Sequence, residues 1–137
     1  MYTIRKKVKF EMSHVLNTSY SKACQQIHGH SYILEIFLRS NKLNADEMVM
    51  DFGEIKKYLW KIINRFDHKM VVSEAHDLAP KFADLAFAGM DGIMFVPYNP
   101  TAEAMAKDIF MELSCNIQSL YKVRLHETDT GYAEFKL

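Results

Sequence analysis

Cys24, His28 and His30 fall within the seven residues Cys24-Gln-Gln-Ile-His-Gly-His30. His28 and His30 are two positions apart, so on an extended strand both imidazoles project from one face, one pleat repeat from each other. Two rings so placed form a chelating pair for a transition metal. The Cys24 thiol, four positions earlier, is near enough to reach a metal-bound substrate and far enough to stand beside the metal rather than on it. The ordinary alternatives are a chance histidine pair on a surface strand and a cysteine serving as a small buried apolar residue.

The elements that position these groups follow from the flanking pattern. From Tyr2 to His14 the residues alternate, with Val8, Phe10, Met12 and His14 on one face and Lys7, Lys9, Glu11 and Ser13 on the other, the pattern of a half-buried strand. That puts His14 on the core side, where a ring without a partner is costly. A second strand runs from about His28 to Arg39, with His30, Tyr32, Leu34, Ile36 and Leu38 on one side. Antiparallel pairing of the two brings the end of the first to the start of the second, and so His14 to His28 and His30.

Asp51-Phe52-Gly53-Glu54 resembles a capping box. Phe52, Ile55, Leu59, Ile62, Ile63 and Phe66 follow at helical spacing, the stripe of an amphipathic helix. Asp67-His68 comes directly after it and on position alone reads as an ordinary surface pair. Val71 to Gly92 has no clear period; a short helix around Pro80 within Asp77 to Ala88, ended by Gly89 and Gly92, precedes the strand-like run Ile93 to Val96. Asn99 and Pro100 suit the cap and first position of another helix, with Ala102, Met105, Ala106, Ile109 and Leu113 as its buried stripe. Thr101 and Glu103 lie in its first turn, where Glu offsets the helix dipole. Leu120 to Thr128 alternates again, and Glu127 ends the face of Val123 and Leu125. A carboxylate there is either frayed into solvent or receives hydrogen-bond donors from something bound. Asp129-Thr130-Gly131 turns the backbone into a last strand, Tyr132 to Leu137.

This order predicts an α+β fold: a four-stranded antiparallel sheet with two helices on one face. Open sheet edges are commonly protected by pairing with neighbouring subunits, which predicts a closed ring of protomers. At 137 residues the protein has the length of one domain, spanning 1–137, large enough for a real core. Its 17 basic and 17 acidic side chains cancel, so no global field draws it to nucleic acid or an anionic membrane. Without a signal-peptide core or a membrane-length apolar run it is expected to be soluble and cytoplasmic. Cys24 and Cys115 alone make a disulfide framework implausible.

In this order the residues resemble the family of 6-pyruvoyl-tetrahydropterin and 6-carboxy-tetrahydropterin synthases, of the tunnelling fold (T-fold). The motifs are Phe10 to His14, Cys24-x-x-x-His28-Gly-His30, Met50-Asp51-Phe52, Phe66-Asp67-His68, Asn99-Pro-Thr-Ala-Glu103 and Glu127-Thr128. Each is weak singly; together, in family order over nearly the whole sequence, they are specific. The resemblance implies Zn2+ on His14, His28 and His30, Cys24 as proton acceptor, and Asp67 with His68 as a relay. It makes Glu127 the carboxylate that anchors a pterin, with Thr101 and Glu103 completing the pocket. It further implies a homo-oligomer forming a β-barrel, a hexamer built as a dimer of trimers, with active sites between subunits.

The activity so implied is 6-carboxy-5,6,7,8-tetrahydropterin synthase, acting on 7,8-dihydroneopterin triphosphate in queuosine biosynthesis. Two alternatives stand beside it: a 6-pyruvoyl-tetrahydropterin synthase eliminating triphosphate from the same substrate, and a zinc- and pterin-binding module without turnover. Phe66 departs from the Leu common before Asp-His, a tolerable apolar change, and Val71 to Tyr98 is longer than in the shortest bacterial members. A branch that cleaves the substrate to a folate precursor usually carries Glu in place of the thiol, so Cys24 argues against that reaction.

Overall fold

The long alternation at the start of the sequence builds the centre of the sheet. In the computed structural model, which describes residues 1–17 and 21–137, β1 (Tyr2–His14) pairs antiparallel with β2 (His28–Ser40) along its full length, from Tyr2 opposite Ser40 to His14 opposite His28. Then follow α1 (Phe52–Phe66), β3 (Lys69–Ser73), α2 (Ala79–Phe87), β4 (Ile93–Val96), α3 (Ala102–Ser114), β5 (Leu120–His126) and β6 (Tyr132–Lys136). The strands form one sheet in the order β4-β3-β1-β2-β5-β6.

The α+β architecture stands, with additions at one edge. β1, β2, β5 and β6 are the expected antiparallel strands, while β3 runs parallel to the end of β1 and β4 parallel to β3. Among the described residues the sheet therefore has six strands, and three helices accompany it. β3 is hidden from periodicity because Val71, Val72 and Ser73 are all buried, as in strands covered on both faces. Val71 joins the main core, whereas Val72 packs with Val15 and Phe82 of α2 in a second cluster. By strand alternation α2 lies across the sheet from α1 and α3.

The main core lies between the sheet and the latter two helices. Phe10, Tyr32, Leu34, Ile36, Leu38, Val123 and Leu125 meet Ile55, Leu59, Ile62, Phe66, Met105 and Ile109, each large side chain contributing roughly 1.5–3 kcal/mol when fully buried. Asp51 caps α1, its Oδ1 accepting from the backbone N–H of Gly53 and Glu54 at 2.8 and 3.1 Å. Phe52, expected on the buried stripe, is instead exposed at the first helical position, under the Lys6 ammonium. α3 begins later than Asn99-Pro100 predicts: Thr101 is extended, and its hydroxyl accepts from the Ala104 N–H at 3.3 Å. Arg65 of α1 clamps α3 through Asp108 and Glu112, and the Tyr98 hydroxyl donates to Asp108 at 2.8 Å.

The other face of the central strands is polar. Glu35 is buried there, accepting from Arg5 at 2.7 Å and His126 at 2.9 Å, with Arg124 at 3.5 Å. Burial alone would raise its pKa; the His126 hydrogen bond and the charges of Arg5, His126 and Arg124 outweigh it and hold the carboxyl below its ordinary range. Among the described residues no helix is long and apolar enough to cross a membrane.

Candidate metal and catalytic site

The β1–β2 register sets His14 opposite His28 and Met12 opposite His30, so the three imidazoles meet at one end of the sheet. Their centroids are 4.6 Å (His14–His28), 4.9 Å (His28–His30) and 5.2 Å (His14–His30) apart, and one ring nitrogen from each lies within 4.8 Å of the others. Gly29 permits the approach, since a Cβ there would stand 3.2 Å from the Met12 carbonyl oxygen. Tyr32, fully buried, packs edge-on to His30 and His14 at 5.6 and 6.3 Å. Burial, and then the nearby Glu127 charge, raise its phenol well above the ordinary value and keep it neutral.

Hydrogen bonds fix which nitrogens are free. His14 Nδ1 is 2.7 Å from the Pro100 carbonyl oxygen and His28 Nδ1 is 2.8 Å from that of Gln26. A carbonyl only accepts, so both Nδ1 atoms carry hydrogen. The two Nε2 atoms, 3.0 Å apart, then present lone pairs to each other. Burial, against the Pro100 bond, takes His14 down to about 4. His30 is lowered too, by burial first, with Glu127 opposing and His28 reinforcing, and its Nε2 is buried without a hydrogen-bond partner among the described residues. Three converging ring nitrogens, two of the rings oriented from behind by carbonyls, suit a cation. Three imidazoles also leave a four-coordinate metal one open position, the pattern of a catalytic site.

Cys24 lies outside this ligand group among the described residues. It is half-exposed, its carbonyl accepting from the Leu16 N–H at 3.3 Å and its N–H donating to the Ser21 carbonyl at 3.1 Å. Glu127 follows β5, with its carboxylate 3.5 Å from His30 Nε2. With Glu103, Thr128 and Tyr132 it lines a hollow of about 200 Å³. Thr101 does not line that hollow, its hydroxyl being engaged at the helix cap.

Asp67 ends α1. Its Oδ1 accepts from the Glu11 N–H at 2.9 Å and its Oδ2 from His68 Nδ1–H at 2.9 Å. The Glu11 bond first, then His68, with slight burial opposing, depress its carboxyl below the ordinary range. The His68 backbone donates to the Glu11 carbonyl at 2.7 Å and holds a left-handed φ of 58°, a conformation costly for a non-glycine residue. The His68 side chain is 79 % exposed. It lines a hollow of about 520 Å³ with Glu11, Ser13, Ser31 and Lys69, and His30 borders the same hollow. The relay pair thus stands against Glu11, outside the group of three ligand nitrogens.

Three contributors escaped sequence reasoning: the carbonyls of Pro100 and Gln26 and the Tyr32 floor. Tyr32 was legible as a residue on the His30 face. Backbone carbonyls carry no side-chain signal at all.

The sequence profile of the family described as 6-pyruvoyl tetrahydropterin synthase matches residues 3–137. Relatives named 6-carboxy-5,6,7,8-tetrahydropterin synthase from Aquifex aeolicus and Haemophilus influenzae are each 32 % identical, covering 98 % of both chains for the first and 99 % for the second. Among solved structures, an uncharacterized protein from Wolinella succinogenes superposes with a TM-score of 0.87 at 21 % identity, over 98 % of this chain and 97 % of the other. The Caenorhabditis elegans 6-pyruvoyl tetrahydropterin synthase gives 0.71 at 22 % identity, over 99 % and 95 %; these two likenesses establish the fold.

Proposed function

The chain belongs to the 6-pyruvoyl tetrahydropterin synthase family, and from that premise we propose that it is a 6-carboxy-5,6,7,8-tetrahydropterin synthase, a lyase converting 7,8-dihydroneopterin triphosphate and water to the 6-carboxy-tetrahydropterin with release of acetaldehyde and triphosphate. The observation that carries this reading is the convergence of three imidazole nitrogens, in a chain whose free thiol Cys24 is outside that group and four residues before His28. Full-length relatives with that name support the product assignment, and with it a place in queuosine biosynthesis.

His14, His28 and His30 would hold Zn2+, which when bound supplies Lewis acidity toward the oxygens of the substrate's 6-substituent. Glu127 accepts paired hydrogen bonds from the pterin ring N–H and exocyclic amine, with Glu103 on the wall of the same hollow. The Cys24 thiolate removes a proton from a carbon of that substituent. His68, oriented through Nδ1–H by Asp67, has Nε2 free to move protons on and off the oxygens and carbons of the same group. His68 is largely exposed and lies outside the ligand group, which supports a reading in which the relay of one protomer serves the metal site of a neighbouring copy in a homo-oligomer. A hexamer arranged as a dimer of trimers, the barrel-forming assembly that open sheet edges favour, meets this requirement. The setting is the cytoplasm.

Incubation of purified, zinc-loaded protein with 7,8-dihydroneopterin triphosphate, followed by mass spectrometry, tests the reading. Carboxypterin and acetaldehyde are expected. Pyruvoylpterin without acetaldehyde would assign the alternative elimination, and no turnover would leave a pterin-binding module.

A further inference from the structure

Asn99 has the sequence of a helix cap, yet Thr101 caps α3, and the Asn99 side chain is turned to another task. Its Oδ1 accepts from the backbone N–H of Asn17 at 2.9 Å, across 82 positions of sequence. Asn17 continues the run His14-Val15-Leu16 that leaves β1, and the Leu16 N–H donates to the Cys24 carbonyl at 3.3 Å. The departing limb of the thiol loop is therefore tied to Asn99, one residue from where its returning limb is tied at Leu16. Next to Asn99, the Pro100 carbonyl accepts from His14 Nδ1–H at 2.7 Å. On the other side, the Tyr98 hydroxyl is anchored on Asp108, which Arg65 also grips. Three consecutive residues thus form a brace: Tyr98 fixes it, Asn99 holds the limb leading to Cys24, and Pro100 orients the first ligand ring.

We infer that Asn99 is a positioning residue that sets the Cys24 thiol against the metal face, acting independently of the ligands. This rests on the function proposed above and adds to it a residue that touches neither metal nor substrate. The bond to His14 comes from a backbone carbonyl, so substitution of the Asn99 side chain leaves it in place. The bond to Asn17 requires only an acceptor at Oδ1, which aspartate supplies and alanine does not. A displacement of about 1 Å of a reacting group costs on the order of 10²-fold in rate.

The test uses the full-length protein bearing Cys115→Ser, so that Cys24 is the sole thiol, with Asn99→Ala and Asn99→Asp compared against that parent. Zinc content, the rate of Cys24 alkylation by iodoacetamide, and kcat and KM for 7,8-dihydroneopterin triphosphate are measured. Expected for Asn99→Ala are full zinc content, KM within about threefold, kcat reduced about 10- to 100-fold, and an alkylation rate altered several-fold. Asn99→Asp is expected to restore both rates. Alkylation of Asn99→Ala at the parental rate, zinc loss in step with activity, or no recovery in Asn99→Asp would each overturn the inference. Asn99→Ser, whose hydroxyl is too short to reach, gives the same readouts should alanine fail to fold. If the parent has no turnover, the functional reading fails, while the alkylation contrast still decides the role of Asn99.

Discussion

The triad and the relay are built by opposite means. The triad is made inside one protomer from strand register: His14 and His28 are cross-strand partners, His14 is fully buried, and two of the three rings are held from behind by carbonyls. The relay sits on the surface, its histidine largely exposed in a left-handed backbone conformation fixed by Glu11. Groups that must hold a cation before substrate arrives need burial and preorganised lone pairs. A proton-transfer group needs no such burial and can be presented at the surface.

The largest expected effect breaks the buried half. His28→Ala removes one of three ligands and should abolish metal retention, with kcat/KM falling on the order of 10³-fold or more. A variant shown by metal analysis to be empty yet fully active would remove the metal from the chemistry. Complementation probes the exposed half. Cys24→Ala, expected to keep its metal, and His68→Ala should each be inactive alone, but mixed oligomers of the two should recover about a quarter of parental activity if each site draws on two subunits. No recovery would place thiol and relay in the same subunit and undo the contrast.

Smaller in effect is Gly29→Ala. Its added methyl would meet the Met12 carbonyl at 3.2 Å, where β1 and β2 bring His14 and His28 together. Opening that contact by a few tenths of an ångström should cost about 1 kcal/mol of stability and weaken metal affinity several-fold. The environment of His68, monitored through its ring NMR signals, should stay unchanged. A shift of those signals as large as those of the triad would show that the two halves are mechanically one.

The same contrast governs how much was legible in the sequence. Alternation over Tyr2 to His14 and from His28 onward specifies strands, faces and therefore the meeting of three histidines, because a period of two leaves one register that buries Phe10, Met12, Tyr32 and Leu34 together. β3 and α2 were poorly legible, since a strand buried on both faces loses its alternation and exposed Leu78, Leu85 and Phe87 blur the stripe of a short helix. Asn99 misled for a different reason: Asn-Pro favours a helix start, and the choice of Thr101 instead depends on a contact with Asn17 that no local pattern encodes. Glu35 was invisible as well, a carboxylate on a solvent-facing strand position whose burial comes from Arg5, Arg124 and His126 closing over it.

The smallest expected effect is electrostatic and belongs to the relay. The Glu11 N–H and His68 stabilise ionised Asp67, so its folded pKa lies below the unfolded value, which is about 3.9 for an ordinary Asp. The stabilisation is therefore complete above about pH 4 and disappears as the pH falls through the folded pKa. Asp67→Asn keeps an oxygen to accept from Glu11 but loses the charge, and solvent screens a side chain one-third exposed. Thermal melts should show the variant slightly less stable than the parent at neutral pH, by less than about 1 kcal/mol, with the two curves converging in acid. A gap that widened as the pH fell would mean that the protonated carboxyl is the form this surface holds, and that Asp67 donates to its neighbours rather than orienting His68 as an acceptor.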